Sequence, residues 1–132
     1  MRPERFQAFV IDTLKNTPGT VQVQTLAEAG DAKHPFGVAV TTGDGESRWQ
    51  IVGQLADGER HDHAEQPVEA APAAWTDATP GDNPEGWLTA AIGRAESPEI
   101  ARIERWSTRD GRTSQGATVY FHNGARAYVR KI

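Results

Sequence analysis

The chain contains no cysteine, so it has neither a disulfide framework nor a thiolate metal site, and a reducing compartment suits it. No stretch approaches the roughly 20 apolar residues that a membrane span requires. Arg2, Glu4, Arg5 and Gln7 interrupt the first residues, which therefore lack the apolar core of a signal peptide. These absences lead us to expect a soluble cytoplasmic protein with no membrane partner. Nucleophile chemistry is also missing: there is no Gly-x-Ser-x-Gly elbow and no phosphate loop ending in Gly-Lys-Ser/Thr. Asp57-Gly58-Glu59 is a turn with too few spaced carboxylates for a calcium loop. The sequence calls for no cofactor, and the expectation is a protein that is not an enzyme.

Lysine is scarce, 3 against 11 arginines, and the charge is unevenly spread. Residues 1–93 carry 6 basic and 14 acidic side chains, whereas residues 94–132 carry 8 basic and 4 acidic, which gives −4 overall. Opposite balances make the two parts attract each other, and they also leave a basic segment available to an anionic partner.

The order of sequence features runs twice through the chain. Pro3-Glu4 and Pro84-Glu85 each precede an aromatic (Phe6, Trp87) and an apolar helical stripe. A proline follows (Pro18, Pro98), then an apolar-spaced segment, then a glycine (Gly30, Gly111). Last come two hairpin-like stretches, one through Asp44-Gly45 and one through Asn123-Gly124. Such self-similarity predicts a pseudo-symmetric fold.

Each copy reads as helix, strand, strand, strand. Phe6, Phe9, Val10, Thr13 and Leu14 form one stripe of a helix over residues 3–15, with Pro3 at the first position and Asn16, Pro18 and Gly19 ending it. Thr20 to Leu26 alternates as a strand with Val21 and Val23 on one face. A two-residue Asp44-Gly45 loop would pair Val38 with Ile51 and Val40 with Trp49, all four on one face. Asn83-Pro84-Glu85 starts a second helix, with Trp87, Leu88, Ala91, Ile92 and Ala95 as its stripe. Ile100 to Trp106 fits helix or strand; the strand matches the first copy. A three-residue His122-Asn123-Gly124 loop puts Ala117, Val119, Phe121, Ala125, Ala127 and Val129 on one face. Thr118, Tyr120, Arg126, Tyr128 and Arg130 take the other.

The predicted fold class is α+β. Two α-β-β-β units, residues 1–55 and 84–132, flank a long acidic Ala/Pro-rich loop at 56–83. The antiparallel strands form one or two sheets with the helices on one face. The loop carries 7 acids against Arg60 alone, a composition that favours a flexible linker.

Four binding candidates share one hairpin face: Tyr120, Arg126, Tyr128 and Arg130. Rings between guanidinium groups on a sheet suit single-stranded nucleic acid, though the same pattern also stabilises ordinary cross-strand pairs. Trp75, an aromatic in a polar loop, is either a loop anchor or a contact for a protein partner. His61 and His63, with Glu65, have spacing that can ligate zinc on an extended strand, but they fall in the least structured segment. Core packing is expected of Trp49, Trp87 and Trp106. The leading functional expectation is a non-enzymatic module that binds a protein partner or itself. Nucleic-acid binding and a metal-dependent hydrolase are the alternatives.

Overall fold

The computed structural model describes residues 1–75, 83–108 and 114–132. Part of the acidic loop, 76–82, and Gly111 of the second copy lie outside the described residues. The elements run α1 (Pro3–Lys15), β1 (Thr20–Thr25), β2 (Gly37–Thr42), β3 (Gly45–Gln54), α2 (Pro84–Arg94), β4 (Ile100–Arg105), a 3-10 turn at Trp106–Thr108, β5 (Gly116–Phe121) and β6 (Arg126–Lys131). Helix, strand, strand, strand therefore occurs twice, with the 3-10 turn added after β4. The mixed α+β class is as expected. No described helix is long and apolar enough to cross a membrane.

Helix α1 starts with proline near its N-terminus and closes where the Asn16 N–H reaches back to Thr13 and Leu14. Helix α2 is capped by Asn83, whose side-chain oxygen accepts the Gly86 N–H at 2.9 Å. The six described strands form one antiparallel sheet in the order β1-β2-β3-β6-β5-β4, so β3 and β6 lie side by side at the centre. Both helices pack on one face. There Phe6, Val10 and Leu14 of α1 and Leu88 and Ile92 of α2 meet Val38, Val40, Trp49, Ile51, Val119 and Val129. Each fully buried large apolar side chain contributes about 1.5–3 kcal/mol. Phe6 adds an edge-to-face contact with Phe121 at 5.7 Å.

The last hairpin has the expected register: Tyr120 pairs with Arg126, Val119 with Ala127, and Gly124 has φ +93°. The first hairpin is displaced by two residues. Val38 pairs with Trp49, Val40 with Ser47 and Thr42 with Gly45, so the turn is Gly43-Asp44. A shift of two keeps every side chain on its face, and the four apolar residues remain buried. Strand β1 departs from simple alternation. Its register slips between Thr20 and Gln22, and Val21 is exposed while Val23 packs on the core. Strand β4 slips at the same place, between Ile100 and Arg102.

The described part of the acidic connection makes specific contacts. Glu59 bonds Arg2 at 3.0 Å, and Glu65 bonds Arg5 at 2.9 Å. Arg5 also pairs with Glu99 at the start of β4. The Ala70 N–H donates to Pro98, His122 Nε2 lies 2.9 Å from the Ala71 oxygen, and Ala73 enters the core.

Candidate functional site

The sheet face opposite the helices is where the candidate residues gather. Alternation along β6 sends Ala127 and Val129 into the core, so Arg126, Tyr128 and Arg130 emerge on the outer face. The same rule places Tyr120 there from β5 and Gln50, Val52 and Gln54 from β3. Cross-strand pairing arranges them in rows: Gln54–Arg126–Tyr120–Arg102, Val52–Tyr128–Thr118–Glu104, and Gln50–Arg130–Gly116.

Two guanidinium groups lie against the Tyr120 ring, Arg102 at 4.0 Å and Arg126 at 4.9 Å from its centre. The Tyr128 hydroxyl meets the Gln54 side-chain oxygen at 2.5 Å. Arg126 and Arg130 are exposed and have no carboxylate partner among the described residues. Arg48 pairs with Glu46 and Arg102 with Glu104 on the same face. Val52, at the centre, is 46% exposed. Arg102 is a member that reading the sequence missed. Its position over Tyr120 depends on the β4–β5 register and on the slip beside Ala101, neither of which has a local signal.

The outer face is bounded by two matching closures. Leu26, just past β1, folds onto Gly37, and Trp106, just past β4, folds onto Gly116. A Cβ at Gly37 would run into Leu26 and the Trp49 carbonyl; one at Gly116 would run into Trp106 and the Val129 carbonyl. Trp106 Nε1 also donates to Thr118 Oγ1 at 2.9 Å. Glu85 holds this second closure. It is fully buried and accepts from Arg105 Nε (2.9 Å), Ser107 Oγ (2.5 Å), Ser107 N (3.2 Å) and Gly116 N (2.9 Å). Burial alone would raise its pKa, but the donors from Ser107, Gly116 and Arg105 outweigh it and hold the carboxyl below its usual range. In the sequence Glu85 reads only as an acid suited to a helix start; nothing local shows the donors that converge on it.

Trp75 is separate from the hairpin face. It lies on α2 against Gly93, with its Nε1 3.4 Å from Glu96, and remains one-third exposed. His61 and His63 line different hollows: His61 a small one beside Arg2 and Arg126, His63 an open groove formed by the acidic connection. Among the described residues no three His, Asp or Glu side chains converge to hold a metal ion. His34 and Asp31 form a pair at 2.9 Å, with the Asp31 carboxyl drawn down to about 2 by His34. The Asp31 oxygens also accept the Lys33 and His34 N–H groups, so the pair closes a turn.

No family model, curated protein or solved structure matches this chain.

Proposed function

We propose that this protein is a non-enzymatic interaction module whose outer sheet face binds an acidic, partly apolar segment of a protein partner. The observation that carries the reading is the pair Arg126 and Arg130, exposed and without carboxylate partners among the described residues, beside Val52 and Tyr128 on the face opposite α1 and α2. Charge complementarity selects an acidic occupant, and Val52 with the tyrosine rings supplies apolar contact. The guanidinium groups against Tyr120 favour protein over single-stranded nucleic acid, because base stacking needs an open ring face.

We infer further that the face is built from two copies of one α-β-β-β unit. The order of elements, the strand slips at Thr20/Gln22 and Ile100/Arg102, and the closures Leu26/Gly37 and Trp106/Gly116 all recur at a spacing of about 80 residues. A partner would then lie across the junction of the copies, over β3 and β6.

The test is nuclear magnetic resonance titration with a peptide alternating Glu and Leu, its Lys/Leu counterpart, and oligo-dT. The Glu/Leu peptide should shift Val52, Arg126, Tyr128 and Arg130, and R126E/R130E should weaken it at least about 10-fold. Tighter, salt-dependent binding of oligo-dT would replace this reading with the nucleic-acid one. Concentration-dependent dimers that lose R126E/R130E-sensitive contacts on adding peptide would make a second copy the occupant. Shifts confined to other surfaces would refute the proposal.

A further inference from the structure

At the end of the β3–β6 pair, beside the start of α1, lies a partly open cavity of about 80 Å³. Arg2, His61 and Arg126 line it together with Pro3, Leu55 and Ala125. Residues with nitrogen-bearing side chains thus share the lining with apolar ones, which is the composition of a site for a small polar group on an apolar stem.

The nitrogen groups are unevenly used. Arg2 donates from Nη2 to Glu59 and to the Arg60 carbonyl, but its Nε is buried and has no hydrogen-bond partner among the described residues. Buried N–H donors normally have an acceptor, so an unfilled one is costly. Arg126 lies against the Tyr120 ring, and neither it nor His61 has a carboxylate partner among the described residues. Glu59 offsets part of the Arg2 charge, while Glu65 is occupied by Arg5 and the Met1 amine. One positive excess remains around Arg126.

We propose that this cavity receives a carboxylate on a short aliphatic stem, an acidic side chain or chain end of the partner. This deepens the acidic-partner reading and rests on it. A turn of the Arg2 guanidinium would bring its unpartnered Nε–H to one carboxylate oxygen, Arg126 supplies the second positive charge, and Pro3, Leu55 and Ala125 contact the carbon stem. The volume admits only a few heavy atoms. The nearby Glu59 and Glu65 carboxylates disfavour a doubly charged anion such as phosphate.

The experiment is titration of the isotopically labelled full chain with acetate, with acetamide of the same shape but no charge, and with inorganic phosphate. A ligand this small should bind in the millimolar to tens of millimolar range, on the order of what four heavy atoms allow. Acetate should shift the Arg2 Nε–H, His61 and Ala125 signals saturably, and acetamide should not. R126Q, a change at an exposed residue, should weaken acetate at least about fivefold, and R2Q should abolish saturation. K15Q, at the far end of α1, should leave it unchanged. Absence of saturation, an equal response to acetamide, or tighter binding of phosphate would overturn the proposal. Loss of folding in R2Q would leave R126Q to decide. Signals at Val52 and Arg130 report the face instead, so peptide binding without acetate binding refutes the cavity alone, and the converse refutes the face alone.

Discussion

Gln50 and Arg130 face each other across the central β3–β6 pair, and a shift of 80 residues exchanges them. The neighbouring pair Trp49–Lys131 becomes Val129–Ile51 under the same shift, and that pair is also present. The β3–β6 register is thus symmetric in residue number about the Gln50–Arg130 pair, whose side chains lie on the exposed face.

The closures on either side of that point should be equally intolerant of a side chain. Gly37→Ala and Gly116→Ala should each destabilise the protein by about 2–4 kcal/mol, because backbone carbonyls as well as side chains block the new Cβ. Urea unfolding measures this. A cost below about 1 kcal/mol at either site would show that Leu26 or Trp106 moves aside freely.

Glu85 should be among the most sensitive polar positions. E85A leaves the Arg105 guanidinium and the Ser107 and Gly116 N–H groups without their acceptor, an expected loss of about 3–5 kcal/mol. The same variant should release Trp106, read as a red shift and stronger quenching of its fluorescence. Unchanged emission would mean that the indole is held without Glu85.

Acid should weaken the contact between the connection and α1. The Glu65 carboxyl is held down to about 2, first by its hydrogen bonds from Arg5, against an ordinary value of 4.5. A carboxyl depressed on folding stabilises above its unfolded pKa, and that stability is lost as pH falls through the folded one. Stability should therefore decline between about pH 4.5 and 2, and E65Q should flatten the curve in that window. An unaltered slope in E65Q would assign the acid sensitivity to other groups such as Glu85 and Glu99, whose carboxyls are also depressed.

Trp75 should respond to its glycine neighbour. A Cβ at Gly93 would overlap the Trp75 side chain, so G93A should push the indole off α2 and raise its accessibility to iodide. The control is W75F, which should remove the most quenchable signal, since Trp49 and Trp106 are buried and Trp87 is partly buried. Equal quenching in G93A and the parent would place Trp75 elsewhere in solution.

Much of this architecture is visible one residue at a time. The stripe from Phe6 to Leu14 sets α1, Asn83-Pro84 starts α2, and the turn through Gly124 orients the last hairpin, because helical and strand periodicities bind near neighbours in the chain. Face assignment survived even the two-residue displacement of the first hairpin, since strand side chains alternate with period two. Tertiary structure alone decided how the two hairpins lie side by side. It set β3 against β6, placed Arg102 on Tyr120, drew Arg105, Ser107 and Gly116 around Glu85, and left Arg126 and Arg130 on bare sheet. Those contacts join residues far apart in the chain, and their geometry follows from how the described helices and strands share one core, which no short window of sequence contains.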